Sequence, residues 1–464
     1  MKYKHFFLEN YKGIKDRLIF DLELDSQVPH CIIGNNESGK TTLLKGIELI
    51  GRLTKGDTLE NGNRNAIKPK GDYFSGIVKL GTKLTSKKDE IKEEKLLKYL
   101  ENQLEDNIEL ELTFSYEFQN SAFINNETEI KFAGSLLTSQ EDIKLLYDSI
   151  KLHSPDIIYY EDFKFSVPKI IRFLEKNKHA EDHTYLNSEE NKSWQKIFND
   201  ILKGHDKKAT SFEDDIVNWA QKSDHDPQIA QSRLRNMGKY LDTVLKEWVE
   251  KQDNGIERFE IVAKQSENEN YKAFNDYEIN IIAGQNSYEM NERSKGLQWS
   301  FCFHILTGIR KNRNNNGVIF LLDEPASNLH IKPQNQMLQH LKMLCDDSSA
   351  VIYSTHAPEL IGTTDECYKN TFIAKNKATE FQETDIHLIN LIDADRSSID
   401  IEELEPILAK LAYEDVKRLG MEETKVNWDS IAQQFKENFK LSKIAQISTI
   451  FNFVLNTVPN LFKS

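Results

Sequence analysis

A nine-residue segment near the N-terminus has the residue types and the spacing that bind phosphate groups. Gly34 and Gly39 enclose four residues, and Lys40 and Thr41 follow directly. Glycines at these positions let backbone N–H groups wrap around phosphates, while the lysine reaches the β- and γ-phosphate oxygens and the threonine hydroxyl binds Mg²⁺. We therefore predict a P-loop that binds ATP. Its residues are Gly34, Asn35, Asn36, Glu37, Ser38, Gly39, Lys40, Thr41 and Thr42.

Two adjacent carboxylates follow an apolar segment far along the chain. Residues 318–322 are all apolar, which predicts a buried strand, and Asp323 and Glu324 come at its carboxyl end. Beside a P-loop, Asp323 would hold Mg²⁺ through water, and Glu324 would act as the general base on the attacking water.

A histidine follows a third apolar strand, predicted at residues 350–354. A single histidine is most often structural, but His356 follows a strand end in the same way as the P-loop and the carboxylates do. We therefore predict that His356 contacts the γ-phosphate. Lys40, Glu324 and His356 are the predicted catalytic residues, and Thr41 and Asp323 are the predicted Mg²⁺ ligands.

Other polar clusters have weaker patterns. His179 and His183 could bind a metal ion from one helix, but their polar surroundings favour a solvated loop. Asp393 and Asp395 follow a predicted strand at residues 386–392 and could belong to a metal-dependent nuclease site. No glutamate-bearing strand precedes them, which favours a sheet edge with a polar exit. The four cysteines lie far apart, which argues against a zinc ribbon or a disulfide framework.

The elements around these residues alternate between strands and helices. The predicted strands of the two ends of the chain are residues 3–8, 18–24, 28–33, 317–322 and 350–354. The predicted helices are residues 41–53, residues 288–310 after the first few of them, and residues 332–344. Such alternation predicts an α/β fold with a mixed, mostly parallel sheet that is covered on both faces.

The middle of the chain has a different pattern. Helices are predicted at residues 89–104 and 226–252, and strands at 108–118, 259–262 and 277–282. Heptads do not persist, so compact helical arms are expected rather than a long coiled coil. The tail after residue 399 is predicted to be helical. An apolar stripe at residues 441–458 would either pack in the core or form the docking face for an oligomer or a partner.

These patterns predict four domains. They are an ATPase head N-lobe at 1–53, a mainly helical insertion with a few strands at 54–255, a head C-lobe at 256–395 and a C-terminal helical oligomerisation or partner region at 396–464.

Composition excludes several classes of protein. The chain has 464 residues, 39% of them hydrophobic, and a net charge of −14. A uniformly basic coat for nucleic acid is excluded, although a local basic groove is not. No apolar stretch reaches the roughly 18 residues that span a bilayer, and the N-terminus lacks the apolar region of a signal peptide. We therefore expect a cytoplasmic protein with no membrane partner.

Three further motifs carry a family resemblance. The segment from Arg293 to Trp299 resembles the RSxGxQW signature of OLD-like ABC-type ATPases, in the SMC/RecF branch. The DEP and STHAP sequences that begin at Asp323 and Ser354 match the same family, as does the N-terminal segment at residues 8–13. These motifs lie within residues 1–50 and 288–360, and the resemblance implies an ABC-type ATPase head.

The resemblance also implies that ATP is bound between two heads. The signature of one subunit would cover the P-loop ATP of the other, through Ser294, Lys295, Gly296 and Gln298. Ser327 and Asn328 would lie near the dimer seam, unless one of them only caps the following helix. Lys12 would lie near the nucleotide, and Gln119 is a candidate Q-loop glutamine. The signature departs from LSGGQ, because Lys295 replaces a glycine and Gln298 is shifted by one position.

Within this family the chain most resembles the ATPase subunit of Septu-type anti-phage systems. That resemblance implies a slow ATPase, using ATP and Mg²⁺, that forms a homo-oligomer and controls an HNH-type nuclease supplied in trans, with nucleic acid reached through the complex. One alternative is a RecF-like DNA repair ATPase. A second is a self-contained OLD-like nuclease that uses Asp393 and Asp395.

Overall fold

The computed structural model describes most of the chain up to residue 390. The described residues are 1–22, 28–34, 37–59, 61–64, 66–69, 73–87, 106–160, 167–174, 186, 188–218, 227–250, 255–264, 274–313, 316–325, 331–357, 360–361, 367, 369–378 and 384–390. The predicted helix at residues 89–104 and the whole predicted C-terminal region, 396–464, lie outside them.

The chain divides into two compact units. The first comprises Met1–Phe163 with Asn316–Ser464, and the second comprises Lys164–Asn315. The predicted boundaries at 53/54 and 255/256 do not coincide with this division. The reason lies in the strands that follow residue 75, because they pair with the N-terminal strands and so belong to the first unit.

The elements of the first unit begin with strands and the helix that follows the P-loop. In chain order they are β1 (Lys2–Glu9), β2 (Leu18–Asp21), β3 (His30–Ile33), α1 (Lys40–Thr54), α2 (Asn61–Arg64), β4 (Gly76–Lys87), β5 (Asn107–Gln119), β6 (Ala122–Phe132), β7 (Ser135–Leu136), α3 (Gln140–His153) and β8 (Asp156–Tyr160).

The second unit contributes the next elements, and the chain then returns to the first. The second unit holds β9 (Ile171–Leu174), α4 (Glu189–His205), α5 (Pro227–Val244), α6 (Lys246–Glu250), β10 (Arg258–Lys264), β11 (Phe274–Ala283), β12 (Asn286–Glu289) and α7 (Lys295–Arg313). The first unit resumes with β13 (Val318–Asp323), α8 (Ile331–Leu344), β14 (Ala350–Ser354), β15 (Thr371–Ala378) and β16 (Thr384–Asn390).

A mixed, mostly parallel sheet forms the centre of the first unit. Its strand order is β16-β15-β3-β14-β13-β8, in which only β16 runs antiparallel to its neighbour. Every residue of β3, β13 and β14 is buried, as their continuous apolar runs predict for strands that are covered on both faces. The predicted fold class is thereby confirmed.

An antiparallel sheet covers the other side of α1. Its strand order is β2-β1-β4-β5-β6-β7, and β5 alternates between buried and more exposed residues along its length. The buried side chains of this sheet join the α1 side chains Leu44 and Ile47 in one hydrophobic core. The described residues 76–87 and 106–136 are therefore largely strand, which differs from the predicted helical arms. The alternating pattern of β5 was a local signal for a strand. Its long partners β4 and β6 form because they pair with neighbouring strands, which no local pattern indicated.

The second unit is built from helices and a four-stranded antiparallel sheet. Strand β11 pairs with β10 along one side and with β9 and β12 along the other. Phe173, Phe198, Phe212 and Tyr277 form an aromatic cluster in its core. The long helix predicted at 226–252 is divided at Leu245 into α5 and α6.

Candidate functional site

The P-loop follows the fully buried strand β3, and glycine is required at both of its ends. Gly34 and Gly39 have φ values of 153° and 98°, which L side chains rarely adopt. A Cβ on Gly34 would lie 2.5 Å from the carbonyl oxygen of Ala374, and one on Gly39 would lie 2.7 Å from Cγ1 of Ile386. The loop backbone can therefore take this path only without side chains at these two positions.

Lys40 is the first residue of α1, and its side chain is only 7% exposed. Its Nζ donates to the carbonyl oxygen of Gly34 at 3.0 Å and lies 2.8 Å from Nε2 of His356. Burial lowers the pKa of Lys40, and the carboxylates of Glu324 and Asp323 oppose that shift. The ammonium is therefore held over the loop by a carbonyl oxygen and a ring nitrogen.

Asp323 ends β13 and is surrounded by hydroxyl groups. Thr41 Oγ1 donates to Asp323 Oδ2 at 2.6 Å, and the hydroxyl of Tyr159 donates to the same oxygen at 3.2 Å. The hydroxyl of Ser354 donates to the other oxygen, Oδ1. Three strands and the P-loop helix thus meet at one nearly buried carboxylate.

Glu324 follows in a left-handed backbone conformation, with φ of 49°. Its backbone N–H donates to Ser354 Oγ at 3.1 Å, and its Oε2 accepts from the backbone N–H of His356 at 3.2 Å. Its Oε1 lies 3.2 Å from Nε2 of His356 and 4.0 Å from Nζ of Lys40. The turn at Glu324 directs this second carboxylate towards the histidine and lysine, away from the hydroxyl groups around Asp323.

His356 is held as a neutral ring. Burial, and after it the charge of Lys40, lower the pKa of His356 to about 4, while Asp323 opposes this shift. An ammonium can only donate hydrogen bonds, so Nε2 accepts from Lys40 and the ring proton resides on Nδ1.

These residues fit a nucleotide phosphate with Mg²⁺. The buried Ser38 hydroxyl has no hydrogen-bond partner within the described part of the chain, and it lies inside the P-loop. Thr41 donates its proton to Asp323, which leaves its oxygen lone pairs for a cation. Hydroxyl and carboxylate oxygens are the ligands that Mg²⁺ prefers.

The signature segment lies at the start of α7, in the second unit. Ser294, Lys295 and Gly296 are exposed, and a Cβ on Gly296 would meet no atom of the described part of the chain within 4 Å. The Ser294 hydroxyl accepts from the backbone N–H of Leu297 at 3.4 Å, as a helix cap does.

Gln298 departs from the prediction for the signature, because its side chain is buried. Its Nε2 donates to the carbonyl oxygens of Asn291 and Arg293 at 2.8 and 2.7 Å, and its Oε1 accepts from the backbone N–H of Val167 at 3.1 Å. All three bonds are made within its own unit, so Gln298 shapes the signature loop and does not present its amide to a ligand. Gln298 lies about one turn of α7 beyond Ser294, and its side chain points into the second unit. The one-position shift from LSGGQ could have indicated this inward orientation.

Two further predicted residues, Lys12 and Gln119, are described, and several others lie outside the described residues. Lys12 sits in a left-handed turn with φ of 51°, and its backbone N–H donates to the carbonyl oxygen of Ile67 at 3.0 Å. Gln119 is exposed at the end of β5. The residues outside the described part are Asn35, Asn36, His179, His183, Ser327, Asn328, Asp393 and Asp395.

Sequence reasoning missed two partners of Asp323. Ser354 was predicted only as part of a strand and Tyr159 was not singled out, although both are polar residues near the carboxyl end of a parallel strand. That position was the available signal, because parallel strands end at the same edge of their sheet.

Known proteins resemble this chain over different lengths. The family described as AAA ATPase domain matches residues 1–361. An uncharacterised protein of Methanocaldococcus jannaschii is 37% identical over 71 residues, which are 15% of this chain and 18% of that protein. The chain thus spans less than a fifth of the length of this curated relative.

Solved structures with similarity to this chain include two Smc heads and a RecF. A Smc head bound to the C-winged helix domain of ScpA has a TM-score of 0.44 and 13% identity, over 84% of this chain and 98% of that chain. A Smc head with an extended coiled coil, bound to the C-terminal domain of ScpA from Pyrococcus furiosus, has a TM-score of 0.40 and 13% identity, over 84% and 96%. The recombination mediator RecF with ATPrS has a TM-score of 0.40 and 14% identity, over 83% and 97%.

Proposed function

Because the chain belongs to the AAA ATPase domain family, we propose that it binds ATP with Mg²⁺ at the P-loop and hydrolyses it slowly. One observation carries this proposal. Lys40, Asp323, Glu324 and His356 converge at the carboxyl ends of neighbouring strands, although Lys40 and His356 are 316 residues apart in the chain. Such convergence of a lysine, two carboxylates and a neutral histidine beside a P-loop suits phosphoryl transfer.

Each side chain has a role that its position allows. Lys40 would exchange its bonds to Gly34 and His356 for oxygens of the β- and γ-phosphates. Thr41 and Asp323 would hold Mg²⁺, which neutralises the charge that develops on the phosphate oxygens. Glu324 would take the proton of the attacking water, and the neutral ring of His356 would orient that water or the γ-phosphate.

The signature residues support a second head as partner. Among the described residues, Gly296 has no steric or conformational need to be glycine, and glycine in a helix costs about 1 kcal/mol relative to alanine. Close approach by another molecule is a reason to keep it. We infer that Ser294, Lys295 and Gly296 cover the ATP of a second copy, with exposed N–H groups at the start of α7 aimed at the γ-phosphate.

The variant Glu324→Gln tests the proposed hydrolysis. Removing a general base should lower the turnover rate by roughly a hundredfold or more, while ATP affinity stays near that of the wild type. Steady-state phosphate release and titration with a fluorescent ATP analogue measure the two quantities. Glu127→Gln, on the outer antiparallel sheet, is the matched control and should leave both unchanged. Wild-type turnover in Glu324→Gln would remove Glu324 from the mechanism.

At the level of the cell we propose a regulatory ATPase of an anti-phage defence complex. The resemblance to OLD-like ATPases supports this role, in which the nucleotide sets the oligomeric state and an HNH-type nuclease partner cuts nucleic acid. In the described residues no helix is both long and apolar enough to cross a membrane. We expect the complex to act in the cytoplasm.

Purification with the products of neighbouring genes tests this role. A nuclease bound in fixed ratio to a multimer of this chain, seen by native mass spectrometry, supports the defence complex. A homodimer without a protein partner that binds duplex DNA only with ATP would instead indicate a RecF-like repair ATPase. Metal-dependent nicking by the chain alone, lost in Asp393→Ala, would indicate a self-contained nuclease.

A further inference from the structure

Tyr159 shares an oxygen of Asp323 with the P-loop threonine. Its hydroxyl donates to Oδ2 at 3.2 Å, and Thr41 Oγ1 donates to the same atom at 2.6 Å. The ring of Tyr159 is partly buried and packs against the hydrophobic core of the first unit. The side chain therefore combines an apolar body that is held in place with a polar tip that touches the predicted Mg²⁺ ligand.

The register of two strands explains how Tyr159 reaches that oxygen. Strand β8 runs parallel to β13, and Tyr159 lies beside Leu321. Side chains two residues apart on a strand point to the same face, so Tyr159, Leu321 and Asp323 share one face of the sheet. A tyrosine side chain is long enough for its hydroxyl to reach a side chain two residues further along the neighbouring strand.

Helix α1 lies close over this face. A Cβ on Gly51 would be 2.6 Å from Cβ of Ile157, the residue two before Tyr159. The missing side chain at Gly51 thus brings the helix down onto β8. The same helix carries Thr41 at its first turn, so one contact surface sets the positions of both hydroxyl groups that meet at Asp323.

We propose that Tyr159 is a positioning residue for the Mg²⁺ site, an inference that rests on the proposed function. Asp323 takes donors on both oxygens, from Thr41 and Tyr159 on Oδ2 and from Ser354 on Oδ1. With the lone pairs of Thr41 available to a cation, the Tyr159 hydroxyl would help to fix the rotation of the carboxylate. Partners of this kind orient metal ligands, and their loss typically lowers metal affinity by roughly 10- to 100-fold.

A purely structural role predicts a different pattern of defects. If Tyr159 only fastened the edge strand β8, its hydroxyl would affect folding and metal-free nucleotide binding alike. A positioning role affects the binding of the cation and leaves metal-free nucleotide binding unchanged. Removing the hydroxyl while keeping the ring separates the two.

The experiment compares Tyr159→Phe with Tyr160→Phe. Tyr160 is the next residue of β8 and points to the opposite face of the strand, so it is a matched control. The affinity for Mn²⁺ in the presence of an imido analogue of ATP is measured by electron paramagnetic resonance, and the affinity for the analogue is measured again in EDTA. We expect Tyr159→Phe to lose roughly tenfold in Mn²⁺ affinity and nothing in EDTA.

The remaining outcomes are distinguishable. Mn²⁺ affinity within about twofold of the wild type in Tyr159→Phe, or an equal loss in EDTA, would overturn the positioning role and leave the proposed ATPase intact. Tyr160→Phe showing the same loss of Mn²⁺ affinity would also overturn it. A wild-type protein that binds no Mn²⁺ with the analogue would refute the proposed function itself.

Discussion

Lys40 faces two carboxylates at short range. Its Nζ is 4.0 Å from Oε1 of Glu324, and burial lowers its pKa while the charges of Glu324 and Asp323 oppose that shift. One cation against two anions leaves the site with a net negative charge in a partly buried region. Such an environment attracts a divalent cation, because electrostatic attraction is stronger where water is excluded. The charges of individual residues therefore favour Mg²⁺ before any nucleotide contact is considered.

His356 provides a pH prediction at the same scale. Its pKa is about 4 in the folded protein and 6.5 when unfolded, so the unfolded chain binds an extra proton between these values. Stability should therefore fall as pH falls from about 6.5 towards about 4, and this loss should be smaller in His356→Gln. Denaturant unfolding of both proteins at about pH 7.5 and about pH 5 measures the difference. Equal pH dependence in the two proteins would show that the histidine titrates normally.

The hairpin of β15 and β16 is the element that packs behind the P-loop. Ala374 O would meet a Cβ on Gly34, and the Ile386 side chain would meet one on Gly39. The backbone N–H of Ile386 also donates to the carbonyl oxygen of Gly13 at 2.8 Å. The family match ends at residue 361, so this support of the P-loop comes from residues beyond it.

Truncating Ile386 should weaken nucleotide binding. Ile386→Ala removes a buried side chain and should cost about 2–4 kcal/mol of stability. Because the P-loop loses its support, ATP affinity should also fall by roughly fivefold or more. Ile130→Ala, at a buried position of β6, should cost a similar free energy of unfolding and keep wild-type ATP affinity. Equal nucleotide affinity in both variants would show that the hairpin does not support nucleotide binding by the P-loop. Denaturant unfolding and nucleotide titration provide the two measurements.

At the scale of the whole molecule, the chemistry is divided between two compact units. The P-loop, the carboxylates and His356 belong to the first unit, and the signature belongs to the second. The net charge of −14 does not favour a general affinity for nucleic acid.

Two glycines of α7 provide a test of assembly. Gly296→Ala should leave stability unchanged or raise it by up to about 1 kcal/mol, because the position is open and alanine favours helix. Gly308→Ala should destabilise the protein by about 1–3 kcal/mol, because its Cβ would lie 2.7 Å from Cγ1 of Val244.

The ATPase rate should be lower in Gly296→Ala than in Gly308→Ala, although Gly296→Ala should be the more stable of the two proteins. If a second head approaches Gly296, the added methyl group should lower the ATPase rate of Gly296→Ala by roughly tenfold or more. Thermal unfolding, phosphate release and native mass spectrometry with ATP measure stability, turnover and assembly. Full turnover with normal ATP-dependent assembly in Gly296→Ala would exclude close approach at this position.

The sequence by itself determined the parts of the site that depend on local chemistry. A P-loop needs glycines, a lysine and a threonine at fixed spacing, and the chain has them at Gly34–Thr41. The buried strands were also predictable, because continuous apolar runs that lead to Asp323 and His356 are typical of strands covered on both faces. These features depend on neighbours in the chain.

Only the tertiary structure decided which distant residues meet. Tyr159 and Asp323 are 164 residues apart, and their contact follows from the parallel register of β8 and β13. The sheet of β4 to β6 and the inward side chain of Gln298 were equally hidden, because strand partners and burial depend on long-range packing. The type and spacing of a residue determine the chemistry of which its side chain is capable. The pairing between remote strands determines which other residue that side chain contacts.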